Sequence, residues 1–243
     1  MRKLLFIPLL IGIALSFSSC NIGDARNYVN SNPAPAVIGY KSEMGGTVLC
    51  TPWGYYAAPS LFMEYFEGDC VITQFSIDYD NQPTDKYTTA TDILTKPVSW
   101  TDLYRTDHLD LDGHSLTISA AAAITCEFYN GKFFILANTK DKSPHYRLIY
   151  NPNEQEVDGV KNLYLQARQS DTSSTSESST YYAFELFDFI NSNPSCRDTT
   201  INYLDGPANL RYIRANLHYV SNISTEGVPT YSKAAGPFEI FIF

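Results

Sequence analysis

An all-β protein is the fold class this sequence predicts, and three observations predict it. Past Val37, short apolar or alternating runs rich in Val, Ile, Thr, Tyr and Phe recur between turn residues. Almost nothing keeps a 3.6-residue period, so less than about a tenth of the mature chain should be helical, against a usual third. The chain carries 18 Tyr and 14 Phe in 243 residues, enough for large cores.

The first half offers strands at Gly46 to Cys50, Tyr55 to Ala58, Leu61 to Tyr65, Cys70 to Tyr79 and Tyr87 to Ile93. In the fourth, Val71, Thr73, Phe75 and Ile77 face one side while Ile72, Gln74, Ser76 and Asp78 face the other, as on a small barrel or half-buried sheet. Glu67-Gly68-Asp69 and Asp80-Asn81-Gln82-Pro83 are its bounding turns. The second half offers Ser115 to Ser119, Ala122 to Tyr129, Phe133 to Ala137, Tyr146 to Tyr150, Leu163 to Arg168, Tyr182 to Phe189, Ile201 to Leu204, Leu210 to Val220 and Phe238 to Phe243. Leu163, Leu165 and Ala167 oppose Tyr164, Gln166 and Arg168, and Ile213, Ala215, Leu217 and Tyr219 oppose Tyr212, Arg214, Asn216 and His218. Such two-faced strands belong in an antiparallel β-sandwich. Asn130-Gly131 between Phe128-Tyr129 and Phe133-Phe134 predicts a tight hairpin. Gln169 to Thr180, QSDTSSTSESST, has no apolar residue and predicts a mobile hairpin connection.

Ahead of this, Arg2 and Lys3 precede an apolar run from Leu4 to Leu15, then Ser16, Phe17, Ser18, Ser19 and Cys20. This is the layout of a signal peptide over 1–19. Even counted to Phe17 the run is shorter than the roughly 20 residues a spanning helix needs. Small residues before a cysteine make Cys20 the expected lipidation site, through which the chain would be anchored in a bacterial membrane; multiple acyl chains hold where one does not. Residues 20–36, ending in Pro33 and Pro35, read as a flexible tether. Without the leader's two basic residues, 15 basic face 26 acidic side chains, which excludes a sequence-independent nucleic-acid partner.

Three stretches resemble the NigD-like lipoproteins of Bacteroidota-type envelopes. They are Glu67 to Asp78; Asp110 to Ile118 with His145 to Tyr150; and Asn162 to Arg168 with Ala183 to Leu186, followed by the strands from Leu210 and Phe238. Together they cover most of residues 40 to 243. The resemblance implies a small OB-like β-barrel over 37–105 followed by a β-sandwich over 106–243. It also implies an outer-membrane location, on the periplasmic or the surface face, and it lends no catalytic residue.

After Cys20, four cysteines remain: Cys50, Cys70, Cys126 and Cys196. They allow three disulfide pairings, of which the domain division favours Cys50 with Cys70 and Cys126 with Cys196; buried thiols are the alternative.

No catalytic, metal or cofactor set is expected. Aligning Gly113 as the sixth position of a calcium loop puts His108 first and Ser119 twelfth, which fails, and His108 with His114 lacks a third zinc ligand. His145 has no nucleophile motif beside it. Asp78 with Asp80 and Glu64 with Glu67 read as turn acids. Trp53, Tyr55, Tyr56, Tyr65 and Trp100 would stack sugars if they shared one exposed plane, and otherwise fill the barrel. Asp198-Thr199-Thr200 resembles a bacterial O-glycosylation acceptor. The expected function is a non-enzymatic envelope module that binds a protein partner or has a structural role. Glycan binding is the second reading and an uncharacterised hydrolase the third.

Overall fold

The computed structural model describes residues 27–111, 113–125, 127–141, 143–169, 177–203 and 206–243. The leader, Cys20, Asp112, Cys126 and most of the polar loop lie outside the described residues. The described chain is nearly all β, with several sheets and one short helix, as the periods predict.

The first sheet holds β1 (Tyr28–Asn30), β2 (Ala34–Lys41), β3 (Gly46–Thr51), β4 (Gly54–Ala57), β5 (Cys70–Asp78) and β6 (Thr91–Val98). β1 and β2 lie end to end along one edge of β5, with Tyr28 opposite Asp78 and Val37 opposite Cys70, while β6 takes the other edge. β3 and β4 follow beyond β2. The sheet curls until the Ala57 N–H donates to the Thr88 carbonyl and the Ala90 N–H to the Ala57 carbonyl, both at 2.9 Å, which makes it a half-barrel. Its inner face buries Ala36, Ile38, Leu49, Leu61, Val71, Phe75 and Ile77. The alternation read along β5 therefore holds.

The second half continues with β7 (Trp100–Asp102), β8 (Tyr104–Arg105), β9 (Ser115–Leu116), β10 (Ile118–Ile124), β11 (Lys132–Thr139), β12 (His145–Tyr150), β13 (Val160–Arg168), β14 (Ser178–Glu185), α1 (Phe187–Ser192), β15 (Arg197–Tyr203), β16 (Gly206–Ile223), β17 (Pro229–Lys233) and β18 (Phe238–Ile242). They build a four-stranded sheet in the order β10-β11-β14-β7 and an eight-stranded sheet centred on β16 and β13. Between the sheets lies one core, including Phe133, Ile135, Leu148, Leu163, Leu165, Phe184, Leu217 and Ile240. The inward sets read on β13 and β16 are the ones that face it.

Several expectations need correction. The tether reading of 20–36 fails from Tyr28 onward. Pro35 lies in β2 opposite Ile72, and Ala34 and Ala36 are 7% and 0% exposed, so burial outweighs the proline penalty at a position whose carbonyl alone is needed. The change of sheet falls at Ser99 rather than residue 105, because β7 and β8 pair with β14 and β12. The sandwich is mixed rather than antiparallel, since β13 runs parallel to β16, β12 to β8, and β14 to β7. Finally, β13 and β14, the strands on either side of the polar loop, belong to different sheets and do not pair, so they form no hairpin.

The half-barrel and sandwich share an apolar seam. Val37, Val48, Cys50, Cys70 and Val98 on the outer wall of the barrel sheet meet Tyr129, Phe134 and Ala183 from the four-stranded sheet and its preceding turn. Tyr55 meets Phe128 edge to face at 4.9 Å. The Tyr129 hydroxyl, 1% exposed with its residue, donates to the Pro35 carbonyl at 2.8 Å. A buried Tyr needs such a partner, and here it ties the two halves together.

Candidate functional site

The residues singled out by the sequence are scattered. Cys50 and Cys70 both register opposite Val37, on the two strands flanking β2. Two strand spacings, about 10 Å, separate them, whereas a disulfide spans Cα atoms no more than about 6.8 Å apart. The expected Cys50–Cys70 bridge is therefore excluded by register. The Cys70 thiol is buried, which pushes it up to about 12, and its sulfur lies 3.8 Å from the Gly68 carbonyl. Cys196 is a half-buried thiol, raised by burial, and the bridge expected for it involves Cys126, outside the described residues.

His108 lies 3.3 Å from the Asp107 carboxylate in the connection from β8 to β9. No group of three metal-binding side chains occurs among the described residues. His145 is an exposed strand residue opposite Arg168. Asp78 caps the 3-10 turn at Tyr79–Asn81, and Asp80 accepts from the Asn27 backbone at 3.1 Å. The aromatic residues do not share a plane: Tyr56 packs on Phe75 in the barrel, Tyr55 faces Phe128, Trp53 caps the β3–β4 turn, and Trp100 lies under the Lys132 ammonium at 3.6 Å. Asp198, Thr199 and Thr200 line a shallow hollow of about 350 Å³ with Asn209, Leu210 and Arg211.

Sequence reading missed two polar clusters, because both assemble across strands far apart in the chain. In the first, Lys161 is 1% exposed and its ammonium bonds the Glu156 carboxylate and, at 2.6 Å, the Ser195 hydroxyl. Tyr150 adds a hydrogen bond to Glu156 at 3.2 Å. A serine beside a lysine invites a nucleophile–base reading, but a base must be unprotonated. This lysine instead donates to the serine and is ion-paired with Glu156. The cluster therefore pins the segment around Ser195 to β13. Burial alone would raise the Glu156 carboxyl; the hydrogen bond and charge of Lys161, with Tyr150 and Ser195, outweigh it and hold it below its ordinary value. Stability from a lowered carboxyl is complete above the unfolded value near 4.5 and is lost as pH falls through the folded one. Urea melts between pH 7 and 3 should show wild type losing more stability than Glu156→Gln on acidification. Parallel curves would refute the assignment.

The second cluster covers the outer face of the large sheet. Glu154 accepts from Asn162 at 2.6 Å and from the Tyr164 hydroxyl at 2.8 Å, and Tyr164 stacks on His218 with centroids 5.2 Å apart. Gln166 donates to the Tyr231 hydroxyl at 2.9 Å and to the Leu109 carbonyl at 3.0 Å. Burial lowers His218 and raises Tyr164 and Tyr231. These partners bond to one another across β13, β16, β17 and the β8–β9 connection, so the cluster holds that connection in place.

A third feature is apolar. Within five residues the segment between β4 and β5 exposes Phe62, Met63 and Phe66, while Leu61 beside them fills the barrel. Strand periodicity missed it, since Leu61 to Tyr65 reads as a strand and forms instead the end of a 3-10 helix and a turn.

No protein-family model matches the chain, and no curated protein matches it. Solved structures do. A NigD-like immunity protein from Bacteroides caccae is 12% identical with a TM-score of 0.49, covering 83% of this chain and 91% of its own. A candidate lipoprotein from Bacteroides fragilis is 10% identical with a TM-score of 0.50, covering 85% and 96%. An uncharacterized protein from Parabacteroides merdae is 15% identical with a TM-score of 0.62, covering 87% and 98%. At such identities the likeness is one of fold. The chain shares the fold of the Parabacteroides merdae protein over most of its own length and nearly all of that molecule's.

Proposed function

We propose that the protein is a lipid-anchored, non-enzymatic lipoprotein of the bacterial outer membrane that serves the envelope as an interaction module. The observation that carries this reading is the signal-peptide layout over 1–19 followed at once by Cys20, only eight residues before β1 begins at Tyr28. Seven residue steps from Cys20 to Asn27 reach at most about 25 Å, so acylation at Cys20 would hold the barrel end of a firmly seamed β-scaffold close to the bilayer. No helix among the described residues is long and apolar enough to cross a membrane. The hydrolase reading would have to use a serine whose neighbouring lysine is already ion-paired. The glycan reading would have to use aromatic side chains spread over separate surfaces.

Cys20→Ser tests the proposal. Wild type should incorporate labelled palmitate and fractionate with membranes, whereas the variant should take up no label and appear in the soluble fraction. A variant still extracted only by detergent would sink the reading.

A further inference from the structure

The connection from β4 to β5 holds its apolar side chains on a fixed frame. Phe62, Met63 and Phe66 are 65%, 87% and 83% exposed, yet Leu61 between them and the barrel is 4% exposed. The Glu64 and Tyr65 N–H groups donate to the Leu61 carbonyl at 3.0 and 3.2 Å, and the Phe66 N–H donates to the Asp69 carboxylate at 2.9 Å. Gly68 N–H reaches the Ile38 carbonyl at 2.8 Å, and the Tyr65 hydroxyl shares a hydrogen bond with Thr95 at 2.8 Å. Large apolar groups clustered in water are unfavourable unless something covers them. With the backbone already held, only side-chain freedom remains to be lost when it does.

The charges of the segment choose among occupants. Residues 59–69 contain Glu64, Glu67 and Asp69 and no lysine or arginine. Insertion into a bilayer would carry carboxylates into the interface, where an anionic surface repels them. The segment also sits at the wrong end: it joins β5 at Cys70, whereas the chain enters at Asn27 beside Tyr79 and Asp80, eight residues or about 26 Å along the strand. Two tips meeting in a dimer would set the same acids against each other. An apolar hollow edged with basic side chains satisfies both the rings and the carboxylates.

Resting on the interaction-module reading, we propose that the Phe62–Met63–Phe66 tip is a docking surface for a partner protein that presents an apolar hollow rimmed by lysine or arginine. The test places the photo-crosslinking residue p-benzoylphenylalanine at Met63 of the full-length protein in its own cells. Irradiation should give a discrete protein adduct, whose partner is identified by mass spectrometry and purified. Its affinity for purified full-length protein should fall at least about tenfold in the double variant Phe62→Ser with Phe66→Ser, and also in Glu64→Lys with Glu67→Lys, while the melts of both match wild type. The proposal is overturned by adducts with lipid alone or with a second copy alone, by no adduct, or by a purified partner that binds the variants as tightly. Fractionating the same cells reads the lipid anchor separately. Anchored protein without an adduct defeats the tip and spares the lipoprotein reading; soluble protein with an adduct does the reverse.

Discussion

Phe184→Ala is expected to destabilise the protein by about 3 to 5 kcal/mol, the range for truncating a fully buried aromatic side chain. The ring is 0% exposed and projects from β14 into the sandwich core, with Tyr182 at 5.2 Å and its strand partner Phe133 also 0% exposed. Both sheets are fixed by long strand pairs, so the cavity has little freedom to collapse. The next residue, Ala183, faces the other way into the seam with the barrel, so the damage sits one residue from the contact that joins the two halves. Urea unfolding should therefore show a single transition with a lowered midpoint and unchanged slope, and a thermal midpoint lower by roughly 10 °C for a chain of this size. A loss under about 1 kcal/mol would mean that Phe184 does not face the core.

What the sequence made legible was whatever burial alone decides. Strands buried on one face announce themselves by period two, as β5, β13 and β16 do, and their inward residues were correctly assigned. Where a segment is held by something other than alternating burial, the period says nothing. β2 hid behind Pro33 and Pro35 because one edge of a proline can still pair through its carbonyl. β7 and β8 have only three and two residues, too short for any pattern, and owe their place to parallel edges of β14 and β12. Tyr182 to Phe189 read as one strand, but α1 begins at Phe187, its first turn closed by the Glu185 carboxylate accepting from the Phe187 N–H at 2.9 Å. The polar clusters around Lys161 and Tyr164 were illegible for a related reason: β13 meets β16 across a crossover of some fifty residues, and no local motif encodes such a meeting. The exposed tip at Phe62 was visible as apolar residues but not as a surface, since exposure is a property of the neighbours.

The Asn130-Gly131 signal was right about the backbone and wrong about its use. Both residues have positive φ, 46° and 81°, as a tight turn demands. Phe128 and Tyr129, however, form a 3-10 turn and not a strand, and the Tyr129 ring is buried in the seam. The turn is a junction. Gly131 donates its N–H to the Phe241 carbonyl at 2.6 Å, accepts at its own carbonyl from the Leu186 N–H at 3.0 Å, and leaves the Asn130 side chain to accept from the Phe243 N–H at 3.1 Å.

Gly131→Ala should therefore cost far more than a turn glycine ordinarily does. An added Cβ would stand 2.9 Å from the Phe187 backbone nitrogen and 3.0 Å from the Ile242 side chain, and the nitrogen cannot move without disturbing the start of α1. Left-handed strain and overpacking each contribute about 1 to 3 kcal/mol, which places the expected loss at about 2 to 6 kcal/mol. Gly54→Ala is the control. It shares a positive φ, 135°, but its Cβ would meet nothing within 4 Å, so only the strain remains. Chemical denaturation of the two variants side by side separates the clash from the strain. If both lose the same stability to within about 0.5 kcal/mol, Gly131 is a turn glycine like any other and the junction between β11, α1 and β18 is not where the sandwich is pinned.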